Sequence, residues 1–348
     1  LSSSSIRIVV LPDAGAENPF QYEMVNFLRQ NQMEVIIGKK HALGSTYQAL
    51  KQHKPTFLYY DWVHSFIIGK SLGWSFLKSL IFVVEILIAK NIYKVKIVHT
   101  LHNLQNHAGI WLGLERKIYG FFLRQCNHIR VYSEEVKRQA ISKFGLKEQR
   151  VSVIQDVPYH YYYPNVVDKQ TSRKKLGIEE DKFVYLFFGE LKPYKGINDL
   201  LTAHGELEES KNCLIIAGKS YDTQYWEQLT AKAKDNTTIQ WFHRFIEKEE
   251  VQFFFNAADV VVLPFKRIDH SGSIDLAMSF SKPIVTLRTN ATERLLGHQL
   301  PLLFDNHRYS LKNCLQIARE SDLKAIGRRN FEIADTTNYQ DLVKLFKR

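Results

Sequence analysis

The residues best placed to do chemistry are a lysine and two serines. The run Phe187-Phe188-Gly189-Glu190-Leu191-Lys192-Pro193-Tyr194-Lys195-Gly196 follows an apolar stretch, Phe183 to Leu186, that reads as a buried strand. It precedes Ile197 to Leu201, which reads as the start of a helix. Gly189 allows a tight exit from the strand. Lys195 then stands in a loop at the carboxyl end of a parallel sheet, where open α/β folds bind ligands. A lysine there suits a phosphate; a solvated loop lysine is the alternative. Downstream, Ala257 to Pro264 reads as a helix end, a strand and a proline stop. Phe265 to Ser273 leads into a second helix, Ile274 to Phe280, and Lys282-Pro283-Ile284-Val285 into another strand. Ser271-Gly272-Ser273 opens that helix, so its backbone N–H groups and the positive end of the helix dipole offer an anion site. A plain serine N-cap is the alternative. Two phosphate-suited loops in one half of the chain favour a diphosphate ligand.

These loops need a scaffold, and the chain alternates strand and helix patterns throughout. In the first half the strand candidates are Ile6–Leu11, Glu34–Ile37, Thr56–Tyr60, Val95–Thr100, His128–Tyr132 and Val151–Ile154. Helices fill the gaps, among them Phe20–Gln30 and Ser133–Phe144, the latter capped by Ser133 and stopped by Gly145. The second half offers Lys182–Phe188, Asn212–Ala217, Thr238–Phe242, Val260–Leu263 and Pro283–Leu287. Such alternation is that of parallel sheets. At 348 residues the chain exceeds the size at which one core stops growing, so two domains are expected. Pro158 to Asp168, rich in tyrosine, reads as the linker, giving domains of residues 1–165 and 166–337. The three cysteines, Cys126, Cys213 and Cys314, are far apart in apolar surroundings and read as free core thiols of a reducing compartment. No Cys/His spacing suggests a metal site. Leu1 to Ser5 lacks a charged region and a cleavage pattern, so no signal peptide is expected there.

The order of motifs carries a resemblance. Gly189-x-Leu191-x-x-x-Lys195-Gly196 comes first, then Ala217-Gly218-Lys219, then Asn256-Ala257-Ala258-Asp259-Val260-Val261-Val262-Leu263-Pro264. Ser271-Gly272-Ser273 follows, before Ala277-Met278-Ser279-Phe280-Ser281-Lys282-Pro283-Ile284-Val285. This order resembles the C-terminal half of GT-B glycosyltransferases, and of family 4 (group 1) and its relatives above all. The resemblance covers nearly the whole chain, strongly between Val184 and Leu287 and more weakly before Tyr132. It implies an α/β fold of two Rossmann-like doubly wound parallel-sheet domains facing a cleft, with the last stretch, residues 338–348, crossing back onto the first domain. It also implies transfer of a sugar from a UDP- or GDP-linked donor to a glycan or lipid-linked acceptor in surface polysaccharide synthesis, with no cofactor and no bound metal. The chain departs from the family pattern in four places. The usual pair of glutamates falls on Ile268 and Leu276, the usual arginine on Glu190, and a usual glycine on Ser281. Asp269 and Asp275 lie beside the missing glutamates but out of register, and Lys192 stands near the missing arginine. A divergent subgroup is therefore expected.

The resemblance assigns further site residues. Lys195, Lys192 and the N–H groups of Gly272 and Ser273 would face the leaving diphosphate, in a loop begun by Ser271 and followed by Asp275. The base is expected near Arg244-Phe245, with Gly218 and, as a second contact, Tyr221 close by. In the first half, Pro12 to Pro19 follows the first strand, and Gly15 there permits close backbone approach to the donor phosphate or the acceptor; a plain βα turn is the alternative. His102, in a loop that also holds His107, resembles the cleft histidine of related enzymes. It would bond the transferred sugar or accept a proton from the acceptor hydroxyl; a surface or capping histidine is the alternative. His99 lies within a strand and reads as a core residue. A noncatalytic sugar-nucleotide-binding protein and a sugar-nucleotide epimerase remain alternatives on the same fold.

The net charge of +11 asks for a partner. No zinc finger, RNA-recognition signature or base-reading basic helix is present, which argues against nucleic acid. A phosphorylated ligand and an anionic membrane surface both suit the charge. Leu72 to Tyr93 is strongly apolar, interrupted by Lys78, Glu85 and Lys90, with Lys70, Lys94 and Lys96 at its ends. It reads either as a buried helix of the first domain or as an interfacial helix touching lipid. The expected location is the cytoplasmic face of a membrane, held peripherally, with the oligomeric state left open.

Overall fold

The computed structural model describes the chain except residues 1–5, 16–18, 40–42, 105–109, 155–158, 208–210, 269–270, 306–309, 336–339 and 348. His107, Asp269 and the start of the 338–348 segment thus lie outside the described residues. The chain divides into two compact units, residues 1–157 with 338–348, and residues 158–337.

The first unit is built on a parallel sheet of β1 (Arg7–Leu11), β2 (Glu34–Ile37), β3 (Phe57–Tyr60), β4 (Lys96–Thr100), β5 (His128–Val131) and β6 (Val151–Val153), in the order β2-β1-β3-β4-β5-β6. Its helices are α1 (Pro19–Gln30), α2 (Ser45–His53), α3 (His64–Ile67), α4 (Leu72–Asn91), α5 (Leu112–Gln125) and α6 (Glu134–Phe144). Helices cover both faces, so the strands read as near-continuous apolar runs. The two-residue period of a strand sorts the side chains. Val9, Leu11, Leu58 and Tyr60 join one core with Phe82 and Phe122, whereas Ile8, Val10, Phe57 and Tyr59 join another with Leu28. The C-terminal helix, Gln340–Lys347, closes that second core, its Phe346 ring meeting Phe57 edge-on at 5.2 Å. The Ser133 hydroxyl caps α6 by accepting the Val136 N–H, and Gly145, at φ +63°, ends it.

The second unit carries β7 (Phe183–Phe188), β8 (Asn212–Ala217), β9 (Ile239–Phe242), β10 (Val260–Leu263), β11 (Ile284–Leu287) and β12 (Leu303–Phe304), all parallel, in the order β12-β11-β10-β7-β8-β9. Its helices are α7 (Lys169–Leu176), α8 (Ile197–Gly205), α9 (Thr223–Lys232), α10 (Val251–Ala257), α11 (Gly272–Ser279), α12 (Asn290–Leu296), α13 (Leu311–Glu320) and α14 (Leu323–Asp335). The strand order reverses between β7 and β10, which makes the loops after these two strands the topological switch point. The tyrosine-rich segment expected as linker joins this unit. Tyr159 is buried in its core, and the Tyr163 ring lies 6.4 Å from that of Phe280. The division accordingly falls before residue 158, not at 165, because those rings find apolar partners here.

Helix α4 is long and apolar enough to cross a membrane, yet only 33% of its most apolar window is buried. Its inward face mixes polar and apolar residues. Ser75, Ser79 and Glu85 are buried beside Phe82, Ile86 and Ala89. The three charges that interrupt the apolar run are all tied to protein. Lys78 donates to the carbonyls of Ser65 and Ile68, Lys90 donates to Asn127 Oδ1 at 2.8 Å, and Glu85 Oε1 accepts the Tyr47 N–H at 2.7 Å. Phe76, Leu80, Val84 and Leu87 point outward instead, between 40% and 63% exposed.

Burial raises the Glu85 carboxyl to about 7, against the pull of N–H groups from Tyr47 and Thr46. A raised carboxyl is protonated in the folded chain while the unfolded chain is ionised, so stability falls as pH climbs from 4.5 to about 7. Glu85→Gln keeps an acceptor for Tyr47 and removes this dependence. It should be near neutral in acid and stabilising by about 1–3 kcal/mol above that window, as read by denaturant titration at several pH values.

Candidate active site

Three loops meet at the carboxyl end of the second unit's sheet, and glycine lets their backbones touch. Gly218, just after β8, sits at φ +147°; a Cβ there would lie 2.0 Å from the Gly189 carbonyl oxygen. Gly196, at φ +72°, has the Pro264 carbonyl oxygen 1.8 Å from where its Cβ would be. Both approaches exclude any side chain. Leu191 N–H donates to the Lys219 carbonyl at 2.9 Å, and Lys266 N–H to the Tyr194 carbonyl at 3.0 Å, so the loops after β7, β8 and β10 form one hydrogen-bonded surface.

Lys195 lies on this surface, but not as an open-loop lysine. It ends a short 3-10 turn, Pro193–Lys195, and is 9% exposed. Burial pushes its ammonium down to about 8; Glu190 raises it and Lys192 lowers it. Lys192, expected beside the phosphate, has its ammonium 2.8 Å from the Glu190 carboxylate, so the charge at the missing-arginine position is spent within the loop. Gly189 stands between two functional groups: a Cβ built there would lie 3.2 Å from Lys195 Nζ and 3.7 Å from Ser273 Oγ. The ammonium and the hydroxyl thus both border the space beside Gly189, which a side chain there would crowd.

Ser271-Gly272-Ser273 begins α11 as expected, with a difference. Ser271 is a true N-cap whose hydroxyl accepts the Ser273 N–H at 3.3 Å. That N–H already has a partner, so Ser273 faces the space beside Gly189 through its hydroxyl. Gly272 abuts Tyr159, whose hydroxyl would be 2.9 Å from a Cβ at 272. Asp275 is half-buried in the first turn, its carbonyl accepting the Ser279 hydroxyl at 2.8 Å. Ile268 and Leu276, at the usual glutamate positions, are buried in the core of this unit. Arg244 holds Glu250 bidentately at 2.6 and 2.7 Å beside the exposed Phe245 ring. Tyr221 is exposed, with Lys219 Nζ 4.9 Å from its ring centre. Among the described residues no group of three or more His, Cys, Asp or Glu is arranged to hold a metal ion.

The first unit has its own polar cluster at the carboxyl end of its sheet. His102 stacks on Trp62, with 4.7 Å between ring centres, and meets Phe20 edge-on. Its Nε2 is 3.4 Å from Asp61 Oδ1, and its Nδ1 3.0 Å from the Tyr132 hydroxyl. Gln21 Nε2 donates to Asp61 Oδ2 at 2.9 Å and to the Pro12 carbonyl at 2.8 Å, while Gln21 Oε1 accepts the Ala14 N–H. Gly15, at φ +84°, follows directly, its N–H donated to Asp13. The Gly15 loop and His102 are therefore joined through Gln21 and Asp61. Sequence reasoning passes over Gln21, Asp61, Trp62 and Tyr132; the available signal was an acid placed directly after the buried Phe57–Tyr60 run. His99 is a core residue, bonded to the Tyr60 carbonyl and the Tyr119 hydroxyl, and held down at about 3 by burial.

This geometry places Asp61 with Tyr132 and Trp62 among the groups that orient His102. Asp61→Asn should lower turnover by about 10²-fold if His102 takes part in proton transfer, and should shift the His102 ring-nitrogen resonances in NMR. Unmoved resonances would show that the ring is set by Trp62 and Tyr132 alone.

Comparison with known proteins agrees with this architecture. The profile of the family described as glycosyl transferases group 1 matches residues 168–310, and that of glycosyltransferase family 4 matches residues 44–156. An uncharacterized glycosyltransferase of Methanocaldococcus jannaschii is 25% identical over 226 residues, covering 61% of this chain and 56% of that protein. A GDP-mannose:glycolipid 4-beta-D-mannosyltransferase of Xanthomonas campestris is 27% identical over 100 residues, 29% of each chain. The chain thus spans about half, or less, of the length of these relatives. Among solved structures, the Anabaena protein Alr3699/HepE in complex with UDP and glucose superimposes with a TM-score of 0.73 at 16% identity, over 99% of this chain and 100% of that one. The two profiles fall one on each unit, and the paired parallel sheets are those of the GT-B fold: the chain belongs to the group 1 and family 4 GT-B glycosyltransferases.

Proposed function

We propose that this protein transfers a hexosyl group from a UDP- or GDP-linked sugar to a hydroxyl of a glycan or lipid-linked acceptor, without a metal ion, in the synthesis of a surface polysaccharide. The observation that carries the reading is the space beside Gly189, bordered by Lys195 Nζ and Ser273 Oγ at the topological switch point. In the reaction the bond between the sugar's anomeric carbon and the diphosphate oxygen breaks, and the acceptor oxygen forms the new bond. Negative charge grows on the leaving diphosphate, where a preorganised ammonium and hydroxyl stabilise it. The acceptor's proton needs a base, and His102, oriented by Asp61, is the candidate. The UDP and glucose bound by the Anabaena protein and the GDP-mannose in the name of the Xanthomonas enzyme support a nucleotide-sugar donor. The apolar side chains at the two glutamate positions favour a second reading, a nucleotide-binding protein without turnover. Donor hydrolysis or transfer with a panel of UDP- and GDP-sugars separates the two.

The outward apolar face of α4 and the +11 charge support a further part of the proposal: peripheral attachment to the cytoplasmic face of a membrane. An interfacial helix keeps its charges away from lipid, as α4 does by tying all three to protein.

Lys195→Ala should reduce turnover at saturating donor by about 10²-fold or more with the fold intact, and Ser273→Asp should abolish nucleoside diphosphate binding in calorimetry. Since the free ammonium loses its proton near 8, wild-type affinity should fall as pH rises through that value, and Lys195→Ala should flatten the profile. An unaltered profile would remove Lys195 from the site. Separately, Phe76→Gln with Leu80→Gln should abolish flotation with vesicles; flotation equal to wild type would leave α4 without a lipid role.

A further inference from the structure

Two clefts lie side by side on the first unit, along the seam of α5 and α6. One, of roughly 510 Å³, is lined by Leu104, Arg138, Gln139, Ser142 and Lys143. The other, of roughly 440 Å³, is lined by Gly113, Arg116, Lys117, Gly120, Arg124, Lys143 and Phe144. Lys143 belongs to both, so they form one shallow groove, open to solvent along its length. Five cationic side chains line it and, among the described residues, no carboxylate does. Of the acids on α5 and α6, Glu115 is buried against His64, and Glu134 and Glu148 face Lys137; Glu135 stands at the groove's edge, where it accepts from the lining Gln139. Arg116, Lys117 and Arg138 are exposed and make no ion pair among the described residues. Lys143 and Arg124 are held in place by the Leu104 and Phe144 carbonyls. The seam is close because Gly120 faces Phe144, whose ring would lie 3.3 Å from a Cβ there.

What borders the groove says what kind of anion it takes. Ile110, Trp111 and Leu112 run into its Gly113 end, each between 38% and 41% exposed. α5 packs against α4, with Phe82 and Phe122 5.3 Å apart, so the outward stripe of Phe76, Leu80, Val84 and Leu87 belongs to the neighbouring helix. A site for a free anion has no use for exposed apolar surface at its rim, and a nucleic-acid groove would offer aromatic rings for bases to stack on, whereas here the border is mostly aliphatic, Ile110 and Leu112 beside the one ring of Trp111. A phosphate that carries acyl chains matches both features: the cations meet the head group and the apolar residues meet the hydrocarbon.

We propose that the α5–α6 groove binds the phosphate of an anionic phospholipid head group and so fixes how the first unit sits on the bilayer. This rests on the membrane reading of α4 and adds a defined head-group site to it. Basic residues near an anionic leaflet each contribute roughly a 5-fold gain in partitioning, and a groove that gathers five of them selects anionic over zwitterionic lipid.

The test is vesicle flotation with phosphatidylcholine alone and with added phosphatidylglycerol, using the full chain. Gly113→Glu places a carboxylate in open space, since nothing lies within 4 Å of a Cβ at 113, so the fold should survive. Gly113→Glu, and separately Arg116→Ser with Lys117→Ser, should lose most of the gain given by phosphatidylglycerol, about 5-fold per cation removed, and keep wild-type binding to phosphatidylcholine. Replacing Lys232 and Lys234 of the second unit by serine is the control of equal charge and should change little. Equal losses in control and groove variants would reduce the effect to net charge and overturn the site. Groove variants that bind like wild type would overturn it while leaving the α4 reading intact; a wild-type protein that floats with no vesicle would overturn both. Calorimetry with inorganic pyrophosphate, and with a short duplex oligonucleotide, provides the remaining arms. Groove-dependent binding of either, without lipid selectivity, would assign the groove to a soluble anion or to nucleic acid instead.

Discussion

The contact on which the candidate donor site depends is backbone against backbone, at positions where no Cβ fits. Gly218 lies on the Gly189 carbonyl and Gly196 on the Pro264 carbonyl, and these approaches hold the loops after β7, β8 and β10 as one surface. Lys195 is buried because the turn that carries it is pressed onto β10's exit. Its depressed ammonium follows from that burial, only partly offset by Glu190, whose carboxylate is paired with Lys192, and a buried cation so placed attracts an anionic ligand. The same constraint explains Gly189: any side chain there would crowd the space that Lys195 and Ser273 border.

The first unit follows a related logic with different parts. Its sheet also ends in a cluster of polar groups, but a side-chain chain joins them, Pro12 to Gln21 to Asp61 to His102 to Tyr132. Asp61 is fully buried and bonded on both oxygens, which fixes the imidazole that it faces. On the opposite side of function, α4 inverts the usual pattern of a surface helix. Its charges are satisfied by protein atoms, and a stripe of its apolar residues is left outside while Phe82, Ile86 and Ala89 face the core. Such an arrangement costs free energy in water and is recovered when an apolar medium covers it.

Much of this was legible in the sequence for physical reasons that are easy to name. Strands covered on both faces appear as short apolar runs, so eleven of the twelve strands could be placed; β12, two residues long after Pro301, is too short to leave a pattern. The Lys195 and Ser271–Ser273 loops were found because two phosphate-suited loops fall at strand exits in the same half of the chain, each alone being common. What stayed hidden depends on distance in space. Nothing in the sequence brings Gln21 and Asp61 to His102 or turns Arg244 onto Glu250, whereas the Ser271 cap on the Ser273 N–H was an alternative already open there. The inward aim of Lys78, Glu85 and Lys90 was equally out of reach, since composition counts the charges of a helix without saying which way they point.

The account stands or falls on where the diphosphate sits. A crystal structure with UDP or GDP bound tests this most directly. The account predicts a phosphate at Gly189, within hydrogen-bond reach of both Lys195 Nζ and Ser273 Oγ. A diphosphate bound elsewhere, with Lys195 still facing empty space, would contradict it.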